Sequence, residues 1–149
     1  MPGLEDLYRE IILDHYRSPR NRGELAPPAR MAEGHNPLCG DEIQVYLDVQ
    51  DGVIADVKIA GQGCSISQSS ASMMSSAVKG KKIEEVLALV KRFKQMMSIE
   101  EEDPTGEVDT SIKLGDLEAL QGVVKFPVRI KCATLAWNTL VQALESPER

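Results

Sequence analysis

The sequence predicts an α+β fold: a small antiparallel three-stranded sheet with helices packed on one face. Two alternating runs, "EIQVYLDV" and "VIADVKIAG", flank Gln50–Asp51–Gly52, which is the pattern of a β-hairpin. Apolar residues at helical spacing recur in one stretch before that hairpin and in several after it. The 149 residues are enough for one domain with a real core. The expectation is therefore a single domain over 1–149, with an acidic insertion at about 98–116.

In chain order, Leu4, Leu7, Tyr8, Ile11, Ile12 and His15 share one face of a first helix, which Ser18–Pro19 ends. Asn21–Arg30, with a glycine and two prolines, reads as loop, and residues around Met31–His35 as the third strand. The apolar pattern selects a hairpin register. A two-residue Asp51–Gly52 turn would set Val45 opposite Lys58 and Val49 opposite Ile54, mixing the faces. A three-residue loop pairs Val49 with Val53, Val45 with Val57 and Ile43 with Ile59, keeping one face apolar. Cys39 and Asp41 share the parity of Ile43 and so extend that face. In this register Cys39 falls opposite Gly63, within reach of Cys64.

Gly61 and Gly63 then permit a tight turn into a helix capped by Ser65 or Ser67 and ended by Gly80, with Ile66, Met73, Met74, Ala77 and Val78 as its buried stripe. A further helix turns Ile83, Val86, Leu87, Val90, Phe93 and Met97 inward. The acidic segment 98–116 reads as a surface excursion. A short helix, "DLEALQGV", and a long one from Val128 or Ile130 to Leu144 close the chain, with Cys132 in the first turns of the latter.

Composition narrows the function. A net charge of −6 argues against nucleic acid as the main partner. The clusters Arg17–Arg20–Arg22 and Lys79–Lys81–Lys82 read as solvated helix ends and turns, or as docking points for an acidic protein. No apolar run approaches the ~20 residues of a membrane span. The start, "MPGLEDLYRE", is acidic and amphipathic, unlike an export signal, so the expected location is the cytoplasm. Three widely spaced cysteines in such a chain do not make a disulfide framework.

Each cysteine occupies a distinctive position. Cys39 follows a turn at the mouth of a strand, Cys64 follows Gly-x-Gly at a helix start, and Cys132 lies near the start of another helix. Helix N-termini favour the thiolate that metal binding or nucleophilic attack requires. With Asp41, the three thiolates complete a tetrahedron for zinc, and the thiolates equally suit an iron–sulfur cluster. A hard carboxylate among soft ligands makes one position exchangeable. Three independent buried cysteines remain the alternative. Lys131 is placed to stabilise a thiolate or hydropersulfide, or else is a solvated lysine. His15 and His35 read as structural rather than ligating, and the serine-rich run 65–76 as capping and close helix packing.

The segments "HNPLCGDEI", "GQGCSISQSSASMMS" and "RIKCATLAWNTL", together with "LYREIILDHYRSPRNRG", resemble the U-type iron–sulfur assembly proteins, the family of IscU and the NifU N-terminal domain. Lys131 stands where the scaffold branch has histidine, and "FPVRIK" where that branch carries a Leu-Pro-Pro-Val-Lys chaperone motif. With the acidic segment, these features resemble the SufU-type branch. The resemblance implies zinc held by Cys39, Asp41, Cys64 and Cys132, and sulfur received from a PLP-dependent cysteine desulfurase of the SufS type. It implies Cys39 as persulfide acceptor, with Cys132 the competing choice, and Arg129 assisting docking or balancing the site's negative charge. Delivery would be to a downstream cluster-assembly scaffold or apo-proteins. If the chain is catalytic, it is a sulfurtransferase. The alternatives are a scaffold on which a [2Fe–2S] cluster is assembled transiently at Cys39, Cys64 and Cys132, and a zinc-stabilised non-catalytic adaptor.

Overall fold

Three strands in the order β1-β2-β3 form one antiparallel sheet: β1 (Arg30–Asn36), β2 (Asp41–Gln50) and β3 (Val53–Gln62). A computed structural model describes residues 4–97 and 112–149, with side chains from Tyr8 onward. The helices are α1 (Leu4–Arg17), α2 (Ser65–Val78), α3 (Ile83–Met96) and α4 (Pro127–Glu145), with a 3₁₀ segment at Gly115–Lys125. The α+β class and the third strand are as expected. Most of the acidic segment lies outside the described residues.

The hairpin register differs from the expected one. Asp51 (φ +52°) and Gly52 (φ +76°) make a two-residue turn, pairing Gln50 with Val53 and Val49 with Ile54. Positive φ at both central residues suits the right-handed twist of the strands. A bulge at Ala55 then shifts the ladder by one, so that Leu47 pairs with Val57, Val45 with Ile59 and Ile43 with Gly61. The bulge restores the apolar parity that the three-residue loop was meant to supply. The shared face is real: Asp41, Ile43, Val45 and Leu47 are all buried. The pairing ends at Glu42–Gln62, so Asp41, not Cys39, meets Gly63.

Helix α4 covers β1 and β2, α2 lies against β3, and α1 packs on α2. Almost every side of α2 is buried, including Ser67, Ser69, Ser70, Ser72 and Ser75. Small side chains let the neighbouring elements approach closely, and buried hydroxyls then need partners. Ser70 Oγ donates to Ala133 O (2.5 Å) and accepts Trp137 Nε1–H (3.2 Å), tying α2 to α4. Ser72 Oγ contacts His15 Nδ1 (2.8 Å), whose Nε2 meets Asp116 Oδ2 (3.0 Å). His15 is therefore a buried tie between α1, α2 and the 3₁₀ segment, whereas His35 is exposed opposite Glu42.

Trp137 also stacks on Phe93, with ring centroids 4.4 Å apart, which anchors α3. On α3 the buried residues are Val86, Leu89, Val90 and Phe93. Leu87, expected inside, is 42% exposed: the inward stripe runs through Leu89 instead. Helix α4 starts at Pro127, earlier than expected, because proline fits the first helical position, where no N–H is needed. "DLEALQGV" adopts 3₁₀ geometry rather than an α-helix. Ser70→Ala is expected to leave the buried Trp137 N–H without its acceptor and to cost about 1–3 kcal/mol. Urea denaturation would register this as a lower midpoint at unchanged slope.

Candidate metal centre

The stretch "NPLCGD" is the loop between β1 and β2. Asn36 and Asp41 pair across the two strands, so Pro37, Leu38, Cys39 and Gly40 form the connection. Cys39 N–H donates to Asn36 O (3.2 Å), closing a β-turn with Pro37 in its second position. Leu38 N–H donates to Asn36 Oδ1 (3.2 Å), an Asx turn of the kind Asn favours before proline. Gly40, at φ +69°, takes the left-handed conformation that returns the chain to β2. Cys39 is thus exposed on a tight loop, while Asp41, the first residue of β2, is fully buried.

Opposite that loop, the chain leaves β3 through Gly63. A Cβ there would overlap the Asp41 carboxylate, so the carboxylate occupies the space a side chain would need. Asp41 Oδ1 accepts the Cys64 N–H (2.9 Å). Cys64 itself, rather than Ser65 or Ser67, is the N-cap of α2: its Sγ accepts the Ser67 N–H (3.4 Å). Cys132 is the sixth residue of α4 and fully buried.

The cysteines are not grouped as the register had implied. Cys39 Sγ lies 3.3 Å from Cys132 Sγ, and a ligand oxygen of Asp41 is within 4.8 Å of both sulfurs. Cys64 meets this group through Asp41, with Sγ 3.9 Å from Oδ2. The expected thiolate-favouring position of Cys132 is also corrected. Burial pushes its thiol well above the usual range, and hydrogen bonds with Cys39 and Asp41, then the charges of Cys64 and Asp41, add to the rise. Six residues into α4, the helix-terminus effect is spent, because it acts mainly on the first turn.

These groups fit a soft divalent cation. Among the described residues, no Lys, Arg or His forms an ion pair with Asp41, although its carboxylate is fully buried. A buried carboxylate needs a positive partner, and thiols give up their protons when they bind a metal. Two thiols and a carboxylate oxygen are already gathered, and a third thiol is in contact with that carboxylate. Lys131 and Arg129, one and three residues before Cys132 in α4, are exposed. Arg129 lines a groove with Ile12, Ile66, Val123 and Phe126. Exposed Leu38, Phe126 and Val128 (72, 62 and 60%) add apolar surface on the cysteine loop and at the start of α4. Sequence reasoning missed Asn36 and the fit of Gly63 against Asp41. The Asn-Pro pair was a legible turn signal, but the Gly63 contact depends on tertiary packing.

A small α+β domain thus gathers thiols from a loop and two helices around a buried carboxylate, a group that could hold a metal ion. The chain belongs to the NifU-like N-terminal domain family, whose model matches residues 7–133. It is 48% identical to the zinc-dependent sulfurtransferase SufU of Bacillus subtilis (strain 168), over 97% of this chain and 94% of that protein. It is 39% identical to the iron–sulfur cluster assembly scaffold protein IscU of Thermotoga maritima, over 96% of each. Among solved structures, it is similar to a SUF-system cluster assembly scaffold candidate from Fervidobacterium islandicum AW-1. That likeness has a TM-score of 0.81 and 34% identity, covering 95% of this chain and 99% of the other. Among the described residues, no helix is long and apolar enough to cross a membrane.

Proposed function

We propose that the chain is a cytoplasmic iron–sulfur cluster assembly protein that accepts persulfide sulfur from a PLP-dependent cysteine desulfurase and relays it onward. The observation that carries this reading is the exposed Cys39 thiol on its Gly40 turn, 3.3 Å from buried Cys132 and beside a buried carboxylate that, among the described residues, has no ion pair with a cationic side chain. Cys39, Asp41, Cys64 and Cys132 would hold zinc. When bound, zinc keeps the thiols deprotonated at neutral pH and withholds them from reaction until a ligand is released.

The protein's own groups divide the work. Cys39 is the accessible acceptor. Its sulfur attacks the terminal sulfur of the desulfurase persulfide; the new S–S bond forms as the old one breaks, and the electron pair leaves with the desulfurase cysteine. Buried Asp41 and Cys132 and half-buried Cys64 stay behind. Exposed Leu38 on the cysteine loop, with Phe126, Val128, Arg129 and Lys131 at the start of α4, would supply a mixed apolar and basic surface for the desulfurase. In the assay, desulfurase and free cysteine are incubated with and without the protein. Strong stimulation of turnover and a mass increase of one sulfur on the protein are expected. No stimulation and no added mass would refute the relay.

A second reading, a scaffold on which a [2Fe–2S] cluster is built, draws on the same sulfurs and on the likeness to Thermotoga IscU. Anaerobic reconstitution with iron and sulfide separates the two. The scaffold reading predicts a coloured cluster on the wild type that persists longer in Asp41→Ala, and the relay reading predicts none that lasts.

A further inference from the structure

The three thiols differ in how the chain solvates them, and the difference falls on one side chain that the proposed sulfur relay does not yet use. Cys64 Sγ receives the Ser67 backbone N–H (3.4 Å), and Cys132 Sγ receives Asn36 Nδ2–H (3.9 Å). Among the described residues, no N–H reaches the Cys39 sulfur; its sulfur contact is the Cys132 thiol.

Asn36 is only 8% exposed, and both ends of its carboxamide are engaged. The Leu38 N–H can only donate, so the atom that faces it must be the oxygen. The amide nitrogen is thereby directed to Cys132, and the orientation of the group follows from its partners. One side chain thus links the loop that presents the exposed thiol to the buried thiol behind it. A hydrogen bond to a metal-bound thiolate withdraws charge from the sulfur and fixes its orientation. It also makes the sulfur a poorer nucleophile, and groups placed this way commonly set metal affinity and ligand exchange.

We propose that Asn36 is a positioning residue that gives Cys132 an N–H···S hydrogen bond, keeping it among the retained ligands while Cys39 is the one released. The proposal rests on the metal-site reading above.

Asn36→Ser and Asn36→Ala separate this role from a merely structural one. Serine can still accept the Leu38 N–H and hold the turn, but it is too short to reach Cys132 and carries no amide donor; alanine loses both contacts. Cobalt(II) is bound to each protein, the sulfur-to-cobalt charge-transfer bands are recorded, and alkylation by iodoacetamide is mapped cysteine by cysteine. In the wild type Cys39 should be alkylated first and Cys132 protected. Both variants should raise the Cys132-to-Cys39 labelling ratio roughly 10-fold and shift the charge-transfer bands to lower energy. If Asn36→Ser restores the wild-type ratio and spectrum while Asn36→Ala does not, Asn36 serves only the turn and the proposal is overturned. Wild-type labelling and spectra in both variants would overturn it equally. Failure of the wild-type protein to bind cobalt or zinc at all would instead remove the metal reading, and this inference with it.

Discussion

Cys39→Ala is expected to abolish sulfur acceptance while leaving the fold intact. Desulfurase stimulation should fall by roughly 100-fold or more, to the rate of the desulfurase alone, because no other thiol is both exposed and unsupported by an N–H donor. The side chain sits on a surface loop and fills no core space, so the cost to stability in the absence of metal should stay within about 0.5 kcal/mol. Zinc should still bind through Asp41, Cys64 and Cys132, more weakly for the loss of one ligand. Mass spectrometry of the wild type after reaction should place the extra sulfur on the Cys39 peptide. A persulfide on Cys132 with Cys39 unmodified would assign the acceptor role to the buried thiol and contradict the division of labour given above.

Gly63→Ala should produce the second large effect, and it reaches the site without replacing a ligand. The added methyl would overlap the Asp41 carboxylate and lie 3.1 Å from the Asp41 Cα, so backbone as well as side chain must move. Displacing the carboxylate also breaks the bond from Cys64 N–H to Oδ1, which holds the start of α2 against the start of β2. A loss of about 1–3 kcal/mol follows from overpacking against the buried Asp41. Zinc affinity should fall about 10-fold or more as the carboxylate and Cys64 lose their relation. Urea denaturation and competition with a chromophoric chelator read the two effects separately. Wild-type zinc affinity in this variant would mean that Asp41 does not contribute to the site.

Much of the fold was legible because its determinants are local or periodic. The alternation in β2, the helical spacing in α1 and α3 and the glycine pair before α2 each report on a few neighbouring residues. The register was harder. The sequence pattern demands that Ile43, Val45 and Leu47 share a face, but two solutions meet that demand, and the bulge at Ala55 carries no side-chain signature. The inward serines of α2 were readable as small-residue packing. Their specific partners, such as Trp137 for Ser70 and His15 for Ser72, are set by tertiary contacts.

The candidate site was legible in membership rather than in arrangement. Cysteine and aspartate chemistry, with the family resemblance, pointed to Cys39, Asp41, Cys64 and Cys132. The pairing of Cys39 with Cys132, and of Cys64 with Asp41, depends on the two-residue turn and on how α4 crosses the sheet. The rise in the Cys132 thiol likewise comes from burial, which outweighs its place near a helix start. Lys131 and Arg129 were singled out for charge; both are exposed on α4, where they suit a partner's surface better than a metal.

Zinc binding by Cys39, Asp41, Cys64 and Cys132 underlies the proposed relay. Its most direct test is elemental and acid-labile sulfide analysis of freshly purified, anaerobically handled protein, with Asp41→Ala and Cys132→Ala alongside. The account predicts about one zinc ion per chain, no sulfide, and a marked loss of zinc in both variants. Iron with stoichiometric sulfide would favour the scaffold reading, and a wild-type protein that binds no transition metal would contradict the account.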